Sequence, residues 1–81
     1  MTDEQTNKQL FVTGPLTTLL IAATGGFVDY LGYEAHGDDE VVHVTVRPSV
    51  AVNDTFSVNV SCDSKWAIAK DVMAAVAKRY E

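Results

Sequence analysis

The sequence predicts an α+β domain: an antiparallel sheet of three or four strands with two helices on one face, in the order (β)αβββα. Three observations carry this reading. Residues 55–61 alternate polar and apolar without a fault, Val42, Val44 and Val46 keep the same parity one segment earlier, and residues 64–80 repeat apolar positions at three and four. Strands with one apolar face need a cover, and helices on that face supply it.

The chain has 81 residues, 47% hydrophobic and 21% charged, which fits one domain with a modest core and excludes a disordered chain. Residues 1–8 are expected to be a loose N-terminus and 9–81 the domain. Gln9-Leu10-Phe11-Val12 suits a short strand or an extended arm.

Residues 13–33 carry no charge before Asp29. A membrane span is rejected here because threonines, glycines and a proline interrupt the run, no basic cluster flanks it, and the chain begins acidic. A helix from Pro15 to Leu31 would hold Gly25 and Gly26 in its interior at about 1 kcal/mol each. The expectation is therefore a helix from Pro15 to about Thr24, ended by glycine, followed by a strand over 30–36.

With Gly37-Asp38-Asp39-Glu40 as a four-residue turn, Ala35 faces Val42, Tyr33 faces Val44 and Leu31 faces Val46 inside. Outside, Glu34 lies opposite His43 and Tyr30 opposite Arg47. Between the next two strands a two-residue turn at Asn53-Asp54 would set an inward residue against an outward one. An odd loop pairing Val52 with Phe56 removes the conflict, and Pro48 favours a bulge or a strand end. The last helix, 64–80, has Asp63 or Ser64 as its cap and buries Ile68, Ala69, Val72, Met73, Val76 and Tyr80, with Trp66 at the margin.

The order helix, three strands, helix resembles that of double-stranded-RNA-binding domains, and Ser64-Lys65-Trp66-Ala67-Ile68-Ala69-Lys70 is similar to the Ser-Lys-Lys-x-x-Ala-Lys start of that family's last helix. Ser64, Lys65, Ala69 and Lys70 match. The tip reads Gly37-Asp38-Asp39-Glu40 where that family carries Gly-Pro-x-His, and the net charge of −5 has the opposite sign, so the resemblance implies shared topology alone.

Charge is uneven: residues 1–63 balance at −7 and residues 64–81 at +2. An acidic body disfavours nucleic acid and suits a basic protein surface. The function expected is that of a small acidic non-catalytic interaction domain, an inhibitor, adaptor or accessory subunit, with imitation of nucleic-acid charge as one mode. The contact residues expected are Asp38, Asp39 and Glu40 at the turn, with Glu34, Tyr30, His43 and Arg47 on the outer sheet face. A homodimer through a free edge or the helix faces is compatible with so small a core.

Two other classes compete. Cys62 precedes a helix, an address that favours a thiolate, but its even parity continues Phe56, Val58 and Val60 and predicts a buried structural thiol. Lys65, Lys70, Lys78 and Arg79 could hold nucleic acid weakly. His36 and His43 fall short of the convergent ligand set that a metal needs, and no cofactor motif occurs. A single cysteine and the lack of a signal peptide fit the cytoplasm.

Overall fold

The computed structural model describes residues 1–80. Helix α1 (Asp3–Phe11) runs through a π-helical turn at Val12–Leu16 into α2 (Thr17–Thr24). Strands β1 (Val28–His36), β2 (Asp39–Ser49) and β3 (Val52–Asn59) follow, and α3 (Lys65–Tyr80) closes the chain. The sheet is antiparallel in the order β1-β2-β3, and the helices share its inner face over a core of Val12, Leu16, Leu31, Val42, Val44, Ile68 and Val72.

The first helix is the main departure from expectation. Residues 3–11 are helical where a loose segment and a short strand were expected, so the optional fourth strand is not formed. Thr2 and Gln5 make a reciprocal capping box: the Gln5 N–H donates to Thr2 Oγ1 at 3.1 Å and the Thr2 N–H to Gln5 Oε1 at 3.0 Å. The helix buries Gln5 and Lys8 rather than an apolar stripe, which is why hydrophobic periodicity does not reveal it.

The π turn has a local cause. Pro15 has no N–H to give to the ladder, and Thr17 Oγ1 donates to Val12 O five residues back at 2.6 Å. The wider turn also keeps Lys8, Val12, Leu16 and Leu20 facing the sheet, although steps of four would drift by about 40° each on an ordinary α-helix. The expected stop at the glycines holds: Gly25 takes φ 61°, the left-handed cap, and its N–H returns to Ala22 O.

The hairpin parity is as expected but its register is not. The turn has two residues, Gly37 and Asp38, with Gly37 at φ 61°. Tyr33 therefore pairs with Val42, Leu31 with Val44, Ala35 with Glu40, Gly32 with His43 and Tyr30 with Thr45. Each expected pair is displaced by two residues, including Glu34 with His43 and Tyr30 with Arg47. A slip of two conserves every face, and tertiary contacts of Glu40 select between the two registers.

Between β2 and β3 the parity conflict is resolved by a bulge instead of an odd loop. Ser49 pairs with Val52 around a two-residue turn, and the register shifts by one before Val46 meets Asp54. Pro48, which cannot donate, lies within that irregularity. Helix α3 matches its expected span, with the Ala67 N–H donating to Ser64 Oγ at 3.2 Å, but Met73 and Tyr80 are exposed at 38% and 55% rather than buried. Tyr80 instead stacks edge-on against Phe27, centroids 5.0 Å apart.

Candidate functional site

The first turn of α1 is tied to the tip of the β1–β2 hairpin. Gln5 Nε2 donates to Gly37 O at 2.8 Å, and Lys8 Nζ reaches Glu40 Oε1 at 3.0 Å and Oε2 at 3.3 Å. Glu40 also accepts from the Tyr33 hydroxyl and, at 3.1 Å, from the Cys62 N–H. A buried carboxylate with that many donors is saturated.

The electrostatics follow from the contacts. Burial pushes the Glu40 carboxyl up, but the donors Tyr33, Lys8 and Cys62 N–H and the lysine charge outweigh it and hold the group below its ordinary range. Burial, then the hydrogen bond to Glu40, raises the Tyr33 phenol far above its ordinary value. Nearby, Asp63 Oδ2 is buried with no hydrogen-bond donor, and the neighbouring Asp71 side chain, then burial, raises the Asp63 pKa.

This anchorage gathers an acidic pole. Asp3 and Glu4 on α1 and Asp38 and Asp39 on the hairpin are exposed, and Glu4, Asp38 and Cys62 line one polar cleft of about 230 Å³. Lys8, the lysine of α1, is buried against Glu40 and also lies 3.9 Å from Glu4. Of the expected acidic turn, Asp38 and Asp39 are presented to solvent, whereas Glu40 is 4% exposed and cannot serve as a contact residue. Asp3 and Glu4 were missed, although the Thr2-x-x-Gln5 capping pattern signals the helix that carries them.

The remaining expected contact residues separate. Glu34 sits on the outer sheet face between two imidazoles, with Oε1 3.0 Å from His43 Nε2 and Oε2 2.9 Å from His36 Nε2, which lowers its pKa. His43 Nδ1 is 3.0 Å from Ser57 Oγ. The order Ser57–His43–Glu34 has the connectivity of a nucleophile, base and carboxylate, and it lies on the open outer face of the sheet. Tyr30 lies farther along that face, 52% exposed, and Arg47 lies at the far end, 3.8 Å from Asp29.

Cys62 is exposed, which overturns the buried thiol expected from parity. The strand ends at Asn59, so its alternation does not extend to Cys62, which turns the chain at φ 65°. On α3, Arg79 lies over the Phe56 ring, 4.0 Å from its centroid, and 3.8 Å from Asp54, which occupies part of the basic set expected to meet nucleic acid. Among the described residues no group of three His, Cys, Asp or Glu converges on a metal position, and no helix is long and apolar enough to cross a membrane.

A second feature is apolar and was not foreseen. Between the first helical rod and α3 runs a groove of about 380 Å³ lined by Phe11, Pro15, Leu16, Leu19, Trp66, Ala69 and Met73, with Lys65 at its rim. Trp66, Ala69 and Met73 recur at three and four on α3, and Phe11, Pro15 and Leu19 recur at four on the rod, so the signal was legible as a second apolar stripe on each helix. Compared with known proteins, the chain matches no family model, no curated protein and no solved structure.

Proposed function

We propose that the chain is a small non-catalytic protein-interaction domain whose acidic pole contacts a basic protein surface. The observation that carries the reading is the anchoring of α1 to the hairpin tip, which sets exposed Glu4 and Asp38 on one cleft, with exposed Asp3 and Asp39 next to them in the chain, while Lys8 is sequestered by Glu40. Four like charges held on rigid elements attract a basic partner over several ångströms and orient its approach. A partner that uses the same basic surface for nucleic acid would be blocked by this pole, which is the inhibitory form of the reading.

Capture from a lysate at low salt, followed by identification of what is retained, tests it. The retained protein should carry a basic patch and should elute by roughly 0.5 M salt, where screening is nearly complete over a few ångströms. A variant combining Asp3→Asn, Glu4→Gln, Asp38→Asn and Asp39→Asn should lose the capture. Retention that ignores salt, or that survives in this variant, would overturn the reading.

A further inference from the structure

The groove between the first helical rod and α3 is an apolar hollow that the acidic pole does not use. Trp66 at 78%, Leu10 at 64%, Leu19 at 52% and Met73 at 38% expose large apolar side chains along it. The patch is continuous, because a neighbouring hollow lined by Asn7 and Leu10 shares Phe11, Pro15 and Lys65 with the groove. Among the described residues no acidic side chain lines either hollow.

We propose that two copies of the chain pair across this groove, each placing its Trp66 in the groove of the other. The area argues for it. A fully exposed aromatic side chain presents about 200 Å², so Trp66 with the exposed parts of Leu10, Pro15, Leu19 and Met73 makes on the order of 500 Å² of connected apolar surface, near the upper end for a monomer. Complete covering of that patch on both copies would bury about 1,000 Å², the lower bound for a specific interface.

The chemistry argues for a second copy in particular. Trp66 stands beside the groove that it lines, so a two-fold axis through the patch makes both protrusion and cleft self-complementary, the defining property of an isologous contact. Among the described residues a basic partner would find no carboxylate in the lining, and the one charge there is Lys65. The net charge of −5 does not oppose the pairing locally, because the exposed acids Asp3, Glu4, Asp38 and Asp39 are outside the patch.

The chain has a single tryptophan, so its fluorescence reports the proposed contact directly. Sedimentation velocity over a micromolar to millimolar series should show a monomer giving way to a dimer, with Trp66 emission moving to shorter wavelength and acrylamide quenching falling over the same range. Trp66→Lys, and independently Leu19→Asp, should raise the dissociation constant by about 30-fold or more, as expected of a central anchor. Both sites are exposed, so the melting temperature at dilute concentration verifies that each variant folds.

A chain that stays monomeric to millimolar concentration with a quenchable tryptophan would overturn the proposal. So would a dimer unaffected by both variants, which would place the contact outside the groove. A monomer whose Trp66 emission shifts only on adding an amphipathic helical peptide or lipid vesicles would assign the groove to a foreign occupant instead.

Discussion

Glu40 accepts hydrogen bonds from Lys8, Tyr33 and Cys62, so one buried carboxylate joins α1, β1, β2 and the turn before α3. Lys8→Met would leave Glu40 without its countercharge and should cost about 3 kcal/mol or more, read by urea unfolding at neutral pH. The pH dependence has two limbs. Because the folded Glu40 lies below its ordinary 4.5, it contributes stability that is full above that value and is lost as pH falls through the folded pKa. Asp63 lies above its ordinary 3.8, so its stabilising effect is full below 3.8 and is lost as pH rises through its folded pKa. Glu40→Gln should therefore weaken the acid limb of a melting-temperature profile, and Asp63→Asn should lift the profile toward neutral pH. A profile unchanged by either substitution would rule this assignment out.

At the scale of the elements, faces were legible in the sequence and registers were not. Alternation has a period of two, so sliding β1 by two residues against β2 leaves Leu31, Tyr33, Val42 and Val44 inside in either case. Gly37 at φ 61° and the buried partners of Glu40 break the tie, and neither is visible in a hydrophobic pattern. Helix α1 escaped for a related reason: its inward positions Gln5 and Lys8 are polar and gain their partners from β2 and the hairpin turn. The glycine boundary was legible because it depends on local geometry. Gly25→Ala would force a side chain into the left-handed region and should cost about 1–2 kcal/mol. Chemical denaturation of the variant checks this; an unchanged stability would show that the helix ends without need of the left-handed cap.

Over the whole molecule the two surfaces belong to different physics. The acidic pole collects Asp3, Glu4, Asp38 and Asp39 at the anchored end of α1, while the groove begins at Phe11 and follows the rod toward Leu19. The polar cleft of the pole and the apolar groove have no lining residue in common. Long-range attraction from the pole falls as salt is added, whereas burial of Trp66 and Leu19 persists or strengthens with excluded salts such as sulfate. The two proposed activities should therefore separate cleanly. Neutralising the four acids should abolish salt-sensitive capture and leave the dimerisation constant within about twofold, since independent sites add to within a few tenths of a kcal/mol. Trp66→Lys should do the reverse, leaving capture per chain intact while the protein sediments as a monomer. If Trp66→Lys also removes capture, the pole requires two copies to hold its partner, and avidity rather than a single contact would set the affinity.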